Sequence, residues 1–189
     1  MEYFDICDET GRPTGGIVER GAAHRDGIRH RTAHVWVVRR EAGRWQVLLQ
    51  KRSMNKDSFP GKYDTSSAGH IPAGSEPPES AVRELGEELG IHATPRDLDF
   101  VGWFDIRYEK AFHGQPFRDN EHCSVYVYDK PVDVGALALQ ADEVERVGWF
   151  DLEAVWAELP TRRDVYCVPT ESMAMLRNYL GGGADERAH

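Results

Sequence analysis

The chain has 189 residues, 40% hydrophobic and 29% charged, with a formal net charge of −9. That is ordinary globular composition for one domain with a sizeable core, and the acidic balance argues against a nucleic-acid polymer as main partner, since such binding relies on clustered Lys and Arg. Cys7, Cys123 and Cys167 are odd in number and far apart, so no disulfide framework or zinc knuckle is expected.

In chain order, Tyr3 to Cys7 and Gly16 to Glu19 flank the Gly- and Pro-containing turn ETGRPTG and read as an N-terminal hairpin. The start MEYFDICDE lacks a charged region followed by an apolar core, and no apolar run of about 18 residues occurs. No membrane partner and a cytoplasmic location are the expectation. After the His- and Arg-rich HRDGIRHRTAH, the segments AHVWVVRR and RWQVLLQKR are strands joined by EAGR, rich in β-branched and aromatic residues. The loop SMNKDSFPGK leads into a strand at YDTSSAGHI, followed by a helix over Glu76 to Glu88 with Pro77 and Pro78 in its first turn and Gly90 as its stop. DLDFVGWFDIRYE and EHCSVYVYDK read as strands separated by a long loop, KAFHGQPFRDN. EVERVGWFD is a further strand, LEAVWAEL and TESMAMLRNYL are helices, and residues 181–189 form a disordered tail.

The helix over Glu76 to Glu88 carries the chemistry. At 100° per residue, Ala81, Val82, Leu85 and Leu89 fall within an arc of about 100°, a core-facing stripe, while Glu84, Glu87 and Glu88 gather in another. Like charges at this spacing destabilise a helix, and a divalent cation would screen them. A solvated acidic face, with Arg83 paired to Glu79 or Glu87, is the alternative from the helix alone.

The stretch GHIPAGSEPPESAVRELGEELGI resembles the Nudix box, with Gly69, Arg83, Glu84, Leu85, Glu87, Glu88, Gly90 and Ile91 at the required spacing. The first Glu of the pattern falls on Ser75, with Glu76 one place late, so the acid that normally pairs with the box arginine is missing or displaced, and Glu79 or Glu76 is the substitute. The resemblance implies a Nudix-type α/β/α sandwich with a mixed sheet. Residues 29–180 would form that domain, with the hairpin and lead-in over 1–28 placed before it. It also implies Mg²⁺ or Mn²⁺ held by Glu84, Glu87 and Glu88 with the Gly69 carbonyl, Arg83 orienting the carboxylates, and a small-molecule diphosphate as substrate.

The flanks LLQKRS, KDSFPGKYD, SSAGH and EVERVGWFDLEAV resemble the subgroup related to isopentenyl diphosphate isomerase. By that resemblance His24, His30, His70, Asp119 and Glu121 match a second metal site, and Arg52 and Lys56 match diphosphate-contacting positions. The alternatives are that His24 and His30 are exposed loop residues and that Lys51 and Lys62 are solvated. The catalytic cysteine of the isomerases is replaced by Ala68, which can neither give nor accept a proton, so isomerase chemistry is not expected. Cys123 should share a strand face with Glu121. Glu143 is a further candidate ligand or base, and Tyr108, Phe112, His113 and Phe117 are candidates for stacking on a base.

Three readings follow. The first is metal-dependent hydrolysis of a diphosphate linkage in a nucleoside diphosphate-type substrate. The second is an isomerase-like site with changed chemistry, and the third a non-catalytic nucleotide or ADP-ribose binding module. The N-terminal hairpin is a surface through which a homodimer could pair.

Overall fold

A computed structural model describes residues 1–56, 58–112 and 114–182. The expected N-terminal hairpin is present as β1 (Tyr3–Cys7) and β2 (Pro13–Glu19), paired antiparallel. A short helix not anticipated from the sequence, α1 (Arg20–Asp26), follows directly, its first turn capped by the Glu19 side chain, which accepts from the Ala22 amide. Seven residues are too few to show a helical period, so local capping defines this element rather than pattern.

The chain then builds one seven-stranded mixed sheet. Its strands are β3 (His30–Glu41), β4 (Arg44–Arg52), β5 (Tyr63–Asp64), β6 (Ser67–His70), then, after the helix α2 (Pro77–Leu89), β7 (Asp99–Phe112), β8 (Gln115–Tyr128) and β9 (Val144–Asp151). Helices α3 (Leu152–Glu158) and α4 (Thr170–Gly182) complete the fold. Strand β3 is the hub: its first half pairs with β6, its far end with β4, and its length runs parallel to β8, while the other ladders are antiparallel.

Both faces of the hub are covered, and its sequence shows it. Ala33, Val35 and Val37 pack with Leu85, Leu89 and Ala81 of α2, whereas Trp36 and Val38 pack with Val155 of α3 and Met173 and Leu176 of α4. A strand buried on both sides reads as a continuous apolar run, as AHVWVV does. The Trp36 indole N–H donates to Ser172 Oγ at 3.0 Å, so the one polar atom of that ring is satisfied inside the core. The result is the α/β/α sandwich with a mixed sheet that was expected. Among the described residues no helix is long and apolar enough to cross a membrane.

One expectation is corrected. The segment KAFHGQPFRDN is not a long loop: β7 and β8 stay paired as far as Phe112 opposite Gln115, forming a hairpin arm that runs past the sheet. The arm lacks apolar alternation because much of it faces solvent on both sides, which removes the signal a half-buried strand gives. His113 lies outside the described residues, as do residues 183–189 of the expected tail, whose first two residues, Gly181 and Gly182, instead close α4.

Candidate active site

The site lies at one end of the hub strand, where α2, β6, α1 and the β7–β8 arm surround a cavity of about 690 Å³. Helix α2 is placed there by its own amphipathicity: Ala81, Leu85 and Leu89 are fully buried against the sheet, which turns the opposite flank toward the cavity. Gly90, at φ 71°, ends the helix by donating to the carbonyls of Gly86 and Leu85.

Glu84, Glu87 and Glu88 all line the cavity. Glu88 is buried, and its Oε2 accepts from Gln50 Nε2 and from the Ala68 amide, each at 3.2 Å. Burial first, and the Glu84 charge second, push Glu88 up to about 7; burial also raises Glu84. Gly69 in β6 lies directly against Glu84: a Cβ there would fall 2.1 Å from Glu84 Cδ. Only a residue without a side chain lets that carboxylate lie on the strand, which brings the backbone of Gly69 and the acid to one place.

Arg83 is not paired with Glu79 or Glu76, as the missing box acid suggested. Its guanidinium donates to Glu84 Oε1 at 2.6 Å, Glu87 Oε2 at 2.7 Å and the His70 carbonyl oxygen at 3.1 Å. Ser75 leaves no unpaired arginine behind, because Arg83 neutralises the box acids themselves. Among the described residues the three glutamates do not form a set whose ligand oxygens all lie within 4.8 Å of one another. Their donor chemistry nonetheless fits a hard divalent cation: Glu84 and Glu88, raised by burial and a neighbouring carboxylate, are acids that a cation relieves.

A second cluster is tighter. One ligand atom from each of His24, His30, His70 and Glu121 lies within 4.8 Å of the others. His24 Nδ1 lies 3.0 Å from the Arg20 carbonyl oxygen and His30 Nδ1 2.8 Å from that of Ile28. A carbonyl only accepts, so each Nδ1 carries the proton and each Nε2 presents a lone pair to the cluster. His30 Nε2 and Asp119 Oδ1 are buried with no hydrogen-bond partner. Burial, then the neighbouring His70 and His30, take His24 down to about 4, which keeps it neutral. These orphaned atoms and lone pairs fit a metal ion. They also answer the question left open by the sequence, since His24 and His30 are buried inward-facing groups rather than loop residues.

The two acids of this cluster differ. Burial and the Glu121 charge push Asp119 well up, although the Tyr108 hydroxyl bonds to it. Burial alone would raise Glu121 too, but its hydrogen bond to His70 and the neighbouring imidazoles hold it well below the usual carboxylate range. Cys123 does share the Glu121 face: its thiol lies 3.5 Å from Glu121 Oε2 and 2.9 Å from Thr32 Oγ1, and it is fully buried.

The basic segment divides. Arg52 and Lys56 line the cavity, Arg52 bonded to Asp64 at 2.9 Å and to Ser58, and Lys56 paired with Glu143, itself on the cavity wall. Lys51 instead pairs with Glu145, and Lys62 donates to the Arg163 carbonyl oxygen. The aromatics of the arm pack on one another and on Phe59, and Phe117 stacks on His24 at 4.5 Å. Phe4, Gln50 and Thr32 were not anticipated. No local motif marks them; only the strand pairing shows that they meet the site.

The family model for the NUDIX domain matches residues 28–168. The chain is 41% identical over 143 residues to an uncharacterised Nudix hydrolase of Clostridium acetobutylicum, covering 76% of this chain and 66% of that protein. It is 42% identical over 154 residues to Nudix hydrolase 3 of Arabidopsis thaliana, covering 80% of this chain and 19% of that protein. It therefore spans less than two thirds of the length of either relative. Identity to an isopentenyl-diphosphate Delta-isomerase of Escherichia coli is 29% over 154 residues, covering 82% of this chain and 79% of that one. Among solved structures, a Deinococcus radiodurans protein 16% identical superposes with a TM-score of 0.68, over 94% of this chain and 99% of that one. The NUDIX domain of Shewanella oneidensis NrtR, solved with ADP ribose, is 16% identical with a TM-score of 0.58, over 79% and 87%. At such identities the structural likeness concerns the fold.

Proposed function

Because the chain belongs to the Nudix hydrolase family, as the match over residues 28–168 shows, we propose that it hydrolyses a diphosphate linkage in a nucleoside diphosphate-type substrate with Mg²⁺ or Mn²⁺. The observation that carries this reading is the meeting of Glu84, Glu87 and Glu88 with Gly69 on the wall of one large cavity. A divalent cation held there supplies charge neutralisation of the diphosphate and a more acidic water for attack on phosphorus. Arg83 orients Glu84 and Glu87 through its two short bonds. Arg52 and Lys56, on the wall of the same cavity, face the phosphate oxygens, Lys56 exchanging Glu143 for substrate.

The histidine cluster favours a second metal in the same cavity, at His24, His30, His70 and Glu121 with Asp119 beside them. Because Ala68 stands where the related isomerases carry a cysteine, proton delivery to carbon lacks its donor, and this metal serves substrate binding.

The test is release of cleavage products, separated by chromatography, over a panel of nucleoside diphosphates, nucleotide sugars, dinucleoside polyphosphates and prenyl diphosphates with Mg²⁺ or Mn²⁺, beside Glu87→Gln. Release from the nucleotide compounds by the parent, lost in the variant, is expected. Unchanged release in the variant would overturn the metal assignment; silence across the panel, with binding seen by calorimetry, would make the chain a binding module.

A further inference from the structure

We infer that His34 is a specificity-determining residue, hydrogen-bonding a polar group of the organic moiety next to the diphosphate. The inference rests on the diphosphate reading above. His34 sits in β3 directly opposite Ala68 of β6 and beside Val125 of β8. Its side chain is buried yet forms part of the cavity wall. Its Nδ1 has no hydrogen-bond partner, and its ring meets Phe104 edge-on at 5.5 Å.

The neighbouring polar groups are committed elsewhere. Thr32 Oγ1 bonds to Glu121 Oε2 at 3.1 Å and contacts Cys123 Sγ, and Glu121 faces the histidine cluster. Among the described residues, His34 thus keeps hydrogen-bonding capacity to spare outside the histidine cluster, whose own unpartnered atoms are His30 Nε2 and Asp119 Oδ1. Ala68 contributes only a methyl group across from it, which leaves room over the imidazole. The next residue, Gly69, carries Glu84 against its backbone, and Glu84 and His34 line the same cavity, so an organic moiety that runs from a diphosphate at the box acids past Ala68 meets His34. A hydroxyl, carbonyl or ring nitrogen there pairs with Nε2, the ring nitrogen open to the cavity, since Nδ1 is closed off. A hydrocarbon chain would seal Nε2 off unpaired, and a site built this way rejects ligands that lack the partner.

One rival use is a metal ion at His34, Glu121 and Cys123, whose ligand atoms lie within 4.8 Å of one another. Cys123 is fully buried and held by Thr32, which favours the ligand role for His34.

The experiment is calorimetric titration of the whole chain, with Mg²⁺, using adenosine 5′-(α,β-methylene)diphosphate and a geranyl methylenediphosphonate as non-hydrolysable probes. His34→Leu should weaken the nucleotide probe by about ten- to a hundredfold while the prenyl probe binds as before or more tightly. His34→Gln, which places an amide near the Nε2 position, should recover most of the loss. Equal weakening of both probes, an unchanged nucleotide affinity, no binding of either probe to the parent, or a drop in bound metal per chain in His34→Leu would each overturn the inference. Should His34→Leu fail to fold, His34→Asn against His34→Gln decides, since only the latter should hold the nucleotide probe. These readouts need no turnover, so failure of the hydrolase reading and failure of the His34 role are told apart.

Discussion

Phe4 lies flat on His70, with ring centroids 4.6 Å and planes 9° apart, and equally covers His30 at 4.9 Å and 15°. The N-terminal hairpin is thereby part of the wall of the histidine cluster, fixed further by Asp5, which accepts from Arg31 at 3.1 Å and from the Gly74 amide at 2.9 Å. Phe4 is fully buried.

Phe4→Ala removes that wall. Truncating a buried Phe costs about 3–5 kcal/mol, which for a chain of this size is a fall in Tm on the order of 10 °C. Calorimetry should also show weaker metal binding at the histidine cluster, while metal binding that depends on Glu87 is unchanged. A variant that loses stability but binds metal as the parent does would show the hairpin to be structural only.

Gly69→Ala tests the contact with Glu84. The added Cβ would lie 2.2 Å from Glu84 Oε1 and 2.5 Å from Cγ, so the carboxylate must swing aside. Because Glu84 is a side chain at a cavity wall, the fold should survive with a small change in Tm. Displacement of a ligand by about 1 Å can cost on the order of 10²-fold in rate, and that loss is expected in the formation of cleavage products. Full activity would mean Glu84 is not held where the box places it.

Much of this was legible in the sequence. Strands β3, β4, β8 and β9 and helix α2 announce themselves because each buries a face, and burial imposes apolar periodicity. The box acids are spaced along one helix, so their shared flank follows from the helical period. What was not legible arises where distant segments meet. Nothing in RGAAHRD shows that α1 turns His24 inward, since that follows from capping by Glu19 and packing of Ala23 beside Phe4. The pairing of Arg83 with Glu87 was one of the two partners that helical spacing offered; its further bond to Glu84, rather than to Glu79 or Glu76, depends on how the guanidinium reaches over the helix to the His70 carbonyl. The β7–β8 arm was hidden because solvent on both faces erases alternation.

Asp119 and Glu121, two places apart on β8, should respond oppositely to amide substitution in the metal-free protein. Burial and the Glu121 charge hold Asp119 in its neutral form, so Asp119→Asn mimics the native state and should leave Tm unchanged or slightly raised at pH 7. Glu121 is held ionised chiefly by its hydrogen bond to His70 against its burial. Glu121→Gln removes the charge that His70 faces and should cost about 1–3 kcal/mol, a fall of several degrees. Equal losses in thermal unfolding of the two variants would contradict the assigned charge states.

Glu88 should give the metal-free protein a measurable pH dependence. Its carboxyl is raised from an ordinary 4.5 to about 7 by burial and by Glu84, so the folded state binds this proton more tightly than the unfolded chain does. The stabilisation is fully present below the unfolded value and is lost as pH rises through about 7, up to about 3 kcal/mol in all. Thermal unfolding in chelator should therefore show Tm falling by several degrees between about pH 5 and pH 8. Glu88→Gln, which keeps the shape and cannot ionise, should flatten that slope. Added Mg²⁺ should raise the parent's Tm more at pH 8 than at pH 5, because a cation offsets the repulsion only once the acid is ionised. If the slope persists unchanged in Glu88→Gln, the titrating group lies elsewhere, and the strain that a cation is proposed to relieve is not at Glu88.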